Sequence, residues 1–147
     1  MSEIKRIDPR GPRFGAAITS VFAIIAILVY ESGWVYSWGI LWILFALFAW
    51  SVFLKKVTHP YAFLFQKLIR PRLSAPTELE DPRPPHFAQQ VGFSFAVFGV
   101  VSGFAFPLGV LIAAGFIFVA AFLNAFFNFC LGCQMYLGLR RLGVIRK

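Results

Sequence analysis

The sequence predicts an all-α integral membrane protein: four transmembrane helices built as two tandem two-helix repeats in parallel orientation, with amphipathic interfacial segments. Three observations predict it. Long apolar runs carry no charge, basic residues crowd the ends of those runs, and a seven-residue motif recurs at half the chain length. The chain reads as one membrane domain, 1–147, with repeat 1 over 1–73 and repeat 2 over 74–147.

Phe14 to Tyr30 and Trp38 to Leu54 are each 17 residues without a charge, separated by a short turn rich in interfacial aromatics, Glu31 to Ser37. From Phe87 to Leu139 there is again no charged side chain. A helix crosses the hydrocarbon in about 20 residues, so this stretch holds two. Ser102 to Gly109, with two Gly and Pro107, is the turn between them. Helices are therefore expected over 14–30, 38–54, 87–105 and 108–128.

Composition agrees. The chain is 59% hydrophobic and 14% charged, with 19 Phe, against roughly 45–50% and 25% in soluble domains. A water-soluble fold of this length could not bury that much apolar surface. The net charge of +8 does not indicate nucleic acid, because the cations flank the apolar runs instead of forming a separate basic face.

Their distribution sets an orientation. Lys5, Arg6, Arg10 and Arg13 precede the first run. Lys55, Lys56, Lys67, Arg70, Arg72 and Arg83 fill the central loop, and Arg140, Arg141, Arg146 and Lys147 follow the last run. All fourteen fall on one side of a four-span topology. The positive-inside rule makes that side cytoplasmic, with both termini on it. The expected location is a membrane, crossed several times, with the basic side in the cytoplasm. The first run is read as a helix, not a cleaved leader, because no small-x-small site follows it before the second run.

Asp8-Pro9-Arg10-Gly11-Pro12-Arg13-Phe14 recurs as Asp81-Pro82-Arg83-Pro84-Pro85-His86-Phe87, five of seven positions identical at an offset of 73. Each copy opens a helix. Proline is tolerated before and within a first helical turn, where backbone N–H groups lack partners, and Asp can cap that turn. An even number of crossings per half gives repeats of the same orientation, related by a pseudo-twofold axis along the membrane normal. Between the halves, Tyr61 to Arg70 mixes apolar and basic residues as an interfacial helix does, and Arg70-Pro71-Arg72 ends it. His59, alone before Pro60, reads as a solvated loop residue.

The chemistry is concentrated in Cys130-Leu131-Gly132-Cys133, which holds both cysteines of the chain. Thiols three residues apart can reach one another. If the fourth helix breaks near Asn128, that residue can cap a new amphipathic helix, and Cys130 sits in its first turn with a lowered thiol pKa. If the helix runs straight to Leu139, the cysteines face apolar surroundings and the thiolate is disfavoured. Packing cysteines kept reduced by the cytosol are the bland alternative. Two Cys fall short of a zinc site, and no phosphate loop, metal motif or Ser-His-Asp set is present, so no metal and no cofactor are expected. The spans hold no ionisable group besides the thiols, which argues against a proton relay.

Ile7 to Phe14, Leu68-Ile69-Arg70-Pro71-Arg72-Leu73, Glu80 to Pro85, and Phe127-Asn128-Phe129-Cys130-Leu131-Gly132-Cys133 together resemble the bacterial membrane family called domain of unknown function 4395. The resemblance covers nearly the whole chain, and the terminal Cys-Leu-Gly-Cys is its most specific part. In that family, common in actinobacteria, genes often lie near those for thioredoxin-like and rhodanese-like sulfurtransferase proteins. This implies a thiol or persulfide role for Cys130 and Cys133, supported by Asn128 and Gly132, and a thioredoxin-like or sulfurtransferase partner. The leading expectation is a membrane dithiol that exchanges electrons or sulfane sulfur with such a partner. The alternatives are a sulfur-compound transporter or its subunit, and a structural subunit with inert cysteines.

Overall fold

The structure, a computed structural model, describes residues 8–54, 60–75 and 79–144. His59 and the cations Lys5, Arg6, Lys55, Lys56, Arg146 and Lys147 lie outside the described residues. The fold is helical. Four helices are long and apolar enough to span a membrane: α1 (Arg10–Val29), α2 (Trp34–Phe53), α4 (Arg83–Ala105) and α5 (Leu108–Phe127). Among the described residues two shorter α-helices, α3 (Pro60–Leu64) and α6 (Leu131–Arg141), accompany them.

Three long helices start four residues earlier than the apolar runs suggest: α1 at Arg10, α2 at Trp34 and α4 at Arg83. For α1 and α4 the reason is the proline motif, which forms the first helical turn instead of leading up to it. Pro12, Pro84 and Pro85 occupy positions whose missing N–H groups would have no helical partner. Asp8 accepts the Arg10 N–H at 3.0 Å, and Asp81 accepts the Arg83 N–H at 2.9 Å. Each Asp also grips the side chain of the same Arg, with closest contacts of 2.9 Å and 2.6 Å. For α2, Gly33 takes φ 154°, and Trp34 starts the helix directly after it.

The core is made by small residues. Gly92, Gly99 and Gly103 stripe one face of α4 and receive Phe48, Leu41 and Trp38 from α2; a Cβ at Gly99 would lie 2.7 Å from Ala113, and one at Gly103 would run into the Trp38 indole. Close backbone approach is the usual way helices associate in lipid, where burying apolar surface gains little. The Trp38 indole N–H donates to the Val100 carbonyl at 2.9 Å, pinning the two helices. On the other side, Ala16, Thr19, Ala23 and Ala26 of α1 are buried, as are Val110, Ala113, Ala114 and Ile117 of α5. Thus α1 packs on α5, and α2 on α4. Many large apolar side chains, such as Leu28, Phe53, Phe104 and Phe116, point outward, as a lipid-facing surface requires.

The central segment runs helically from Pro60 to Arg72, close to the interfacial helix the sequence suggests. It is not uniformly α: a wide turn over Phe65–Ile69 and a tight one over Arg70–Arg72 follow α3. Pro71 explains the departure, since it has no N–H for the carbonyl four residues back and its ring crowds that carbonyl. The segment lies along α1: Tyr61 meets Gly15, Phe65 meets Gly11 and Phe14, and the Thr19 hydroxyl donates to the Tyr61 oxygen at 3.3 Å. In the second half, α6 lies on the start of α4 in a comparable way, with Tyr136 against Phe87 at 5.7 Å.

Candidate functional site

The dithiol motif sits where α5 stops and α6 begins. Asn128 adopts the left-handed conformation (φ 53°) and ends α5. The N–H groups of Asn128 and Phe129 both return to the Leu123 carbonyl, closing the helix end. A second orphan carbonyl, that of Ala125, accepts from Arg13 Nη2 at 3.2 Å. The chain then runs extended through Cys130 and re-enters a helix at Leu131.

The helix breaks at Asn128 and does not run straight to Leu139, with one correction to the role of Asn128. Asn128 does not cap the new helix; it terminates the old one, because Asn tolerates the left-handed conformation better than other non-glycine residues. Cys130 itself is the N-cap of α6. Its Sγ accepts the Cys133 N–H at 3.1 Å, and its carbonyl accepts the Gln134 N–H at 3.0 Å. A sulfur thus does the work that an oxygen does at ordinary N-caps, at the positive end of the helix dipole.

Cys130 and Cys133 are joined as a disulfide, their Cα atoms 5.1 Å apart. Both are half-buried. Gly132 between them is buried against α4: a Cβ there would lie 2.5 Å from Ala88 Cα, so only glycine allows this approach. The loop is held between two helices, and α6 carries its charges, Arg140 and Arg141, at its far end. Among the described residues no three His, Cys, Asp or Glu side chains come together as a metal site would need.

Sequence reasoning missed two features here. Arg13, read in the sequence only as one of the basic residues before the first run, reaches across to the end of α5. A cavity of about 230 Å³ also opens beside the motif, lined by residues of α1, α2, α4, α5 and α6, Cys130 and Gly132 among them. The signal was faint: Thr19, Gln89 and Asn124 are sparse polar residues in apolar runs, and their convergence depends on helix packing.

Electrostatics at this end of the bundle come from the two Asp-Arg pairs. Side-chain hydrogen bonding from Arg10 holds the Asp8 carboxyl below its ordinary value, helped by the Arg10 N–H and by the charge of Arg70. Asp81 is held low in the same way, by Arg83 side chain and backbone and by the charge of Arg140. The central segment and α6 therefore each bring a cation to the Asp at the start of the helix they lie on.

No curated protein and no solved structure matches the chain. A family does: the match runs over residues 7–141 and takes in both proline motifs and the cysteine motif. The chain belongs to the family described as a domain of unknown function, DUF4395.

Proposed function

We propose that this chain is a membrane dithiol–disulfide exchange protein, trading electrons or sulfane sulfur with a thioredoxin-like or sulfurtransferase partner at the cytoplasmic face of a bacterial inner membrane. The position of Cys130 carries this reading: a disulfide sulfur at a helix N-cap, hydrogen-bonded by the Cys133 N–H. Both features stabilise a thiolate once the bond is opened. Arriving electrons open it by attack of a partner thiolate on Cys130 Sγ, which expels the Cys133 thiolate and leaves a mixed disulfide. A second partner thiolate then displaces Cys130, so the partner leaves oxidised and the pair reduced. For sulfane sulfur, the Cys130 thiolate takes the outer sulfur of a partner persulfide and releases the partner thiolate. Attack by Cys133 on the inner sulfur then expels hydrosulfide and closes the disulfide.

Transport of a sulfur compound is the second reading, and it needs a polar path through the bundle. The buried centre is formed by Ala23, Leu41, Leu44, Val110 and Ala113, which supports exchange. Trapping tests the choice. Cys133→Ser should accumulate a mixed disulfide between Cys130 and a cytosolic protein, while Cys130→Ser should accumulate little. If neither variant traps a partner and both cysteines in reduced membranes resist a water-soluble alkylating reagent, the pair is structural.

The cytoplasmic assignment rests on the fourteen basic residues on one side. A reporter at Lys147 should read cytoplasmic and an insertion near Glu31 external; an external C-terminus overturns it. The tandem relation of the halves is likewise a proposal. Its support is the matched construction of the helix starts: Asp8–Arg10 with Asp81–Arg83, Phe14–Phe65 with Phe87–Tyr136, and Arg70 with Arg140 beside the respective carboxylates.

A further inference from the structure

The cavity beside the disulfide has a direction. At the end of the bundle where α1 and α4 start and α5 ends, it is bounded by Cys130, Gln89 and Asn124. From there it runs inward to Thr19 of α1 and Ile117 of α5. Thr19 is nine residues past Arg10 and Ile117 ten before Phe127, so it reaches about 13–15 Å along the helices at 1.5 Å per residue. Its two amides and Cys130 are gathered toward one end, and its deep wall, apart from Thr19, is aromatic and aliphatic. Phe116 and Val119, half-exposed on the outer surface of α5, stand at its side, so it opens laterally at bilayer depth and not through the bundle.

Three properties define an occupant. It is an amphiphile that enters from lipid, with its polar end beside Cys130. Its polar end exchanges hydrogen bonds with the two amides at that level, Gln89 and Asn124, whose side chains make none among the described residues and which can donate to an oxygen placed there. It is also a reagent that a disulfide pair can act on, since one wall of the cavity is a cysteine that cycles between two oxidation states in the exchange reading. A phospholipid meets the first two conditions, through its ester and phosphate oxygens, and fails the third. A ring with two carbonyl oxygens and an isoprenoid or alkyl tail meets all three.

We propose that this cavity binds the headgroup of a lipid-soluble quinone and that the quinone is the electron acceptor for the Cys130–Cys133 dithiol, an inference that rests on the exchange reading above. Gln89 and Asn124 donate amide N–H groups to the quinone carbonyl oxygens, and the tail leaves along Phe116 and Val119. The electrons balance simply. The two thiols lose two electrons and two protons as the S–S bond forms; the quinone gains two of each and departs as quinol. The partner then reduces the disulfide, and the chain passes two electrons from a soluble thiol protein to the membrane pool.

The test uses the full-length protein in nanodiscs, reduced and freed of reductant, mixed with a decyl-substituted benzoquinone whose ring is fully substituted and cannot be alkylated by thiols. The expected result is one quinone reduced per protein, with disulfide formation at the same rate. Gln89→Leu and Asn124→Leu should each raise the quinone concentration for half-maximal rate at least tenfold, and Ala120→Phe, which fills the cavity, should abolish the reaction. All three should still form the mixed disulfide with the partner in the Cys133→Ser background. If the reduced wild type leaves quinone untouched while partner trapping persists, the quinone site is wrong and exchange stands. If both fail, both readings fall. Quinone reduction that is indifferent to all three substitutions places the reaction in bulk solvent and overturns the cavity assignment. So does co-purifying phospholipid that Ala120→Phe displaces, when quinone does not compete for its place.

Discussion

The guanidinium of Arg13, in the first turn of the first helix, donates to the backbone carbonyl of Ala125, 112 residues later, at 3.2 Å. The last carbonyls of a helix have no partner of their own, and a cation placed there also opposes the negative end of the helix dipole. Arg13 therefore helps α5 to stop before the cysteine motif. Arg13→Leu should loosen that end and cost about 1.5–3 kcal/mol, the scale of a hydrogen bond to a charged group. Amide exchange over residues 123–130 should accelerate while the interior of α5 stays protected. Unchanged exchange at this junction would show that Asn128 alone sets the break.

Asp8 and Asp81 make the same contacts but differ in exposure. The Asp8 side chain is 7% exposed and that of Asp81 36%. Losing such a cap costs about 0.5–2 kcal/mol, so Asp8→Ala should fall nearer the upper end and Asp81→Ala, screened by solvent, nearer the lower. Both carboxylates are held below their ordinary value. Their stabilisation is therefore fully present above the unfolded pKa of about 3.9 and is lost as pH falls through the lower folded value. Detergent-unfolding midpoints measured from pH 6 to pH 2 should show an acid limb that flattens in the double variant. An acid limb of full depth in that variant would assign it to other groups.

Gly132 and Gly138 lie on the same short helix and make opposite predictions. A Cβ at Gly132 would press on the Ala88 backbone, whereas one at Gly138 meets nothing within 4 Å. Gly132→Val should lift α6 off α4, cost about 1–3 kcal/mol as overpacking does, and slow thiol exchange by displacing the Cys130 cap. Gly138→Ala should stabilise by up to about 1 kcal/mol, the helix propensity difference. Parallel unfolding curves and exchange rates for the two variants check both signs. Equal effects would mean that α6 is not seated through Gly132.

The spans were legible because lipid imposes a simple rule. Charge-free runs such as Phe14 to Tyr30 have no other stable place, and Pro107 punctuates the longest of them. Their starts were less legible, because Pro12, Pro84 and Pro85 read as pre-helical until their place in a first turn removes the penalty. The cysteine motif was legible as chemistry, but its geometry was not. The junction also holds Arg13, bonded to Ala125, and Ala88 of α4 against Gly132, contacts that sequence spacing does not bring together. The cavity was illegible for the same reason: Thr19, Gln89 and Asn124 are 70 and 35 residues apart in order along the chain, and they meet only once α1, α4 and α5 are packed.

The asymmetry between the two thiols gives the last prediction. In the disulfide state the Cys130 sulfur stands at the N-cap; retained there after reduction, it has the Cys133 N–H and the helix dipole to favour its charged form. Cys133 lies within the first turn, offset from the axis end, and receives no such bond. Alkylation of the reduced protein across pH 5–10, read site by site by mass spectrometry, should give Cys130 an apparent pKa below the free thiol value of about 8.5. Cys133 should titrate above Cys130. Changing Leu131 or Gly132 to proline removes neither sulfur, so the sharper control is Cys133→Ser, which retains the backbone N–H at that position. Cys130 in that variant should keep most of its lowered pKa. A return to the free value would show that the Cys133 thiol, and not the backbone and helix end, sustains the Cys130 thiolate, and the assignment of Cys130 as the attacking sulfur would lose its physical basis.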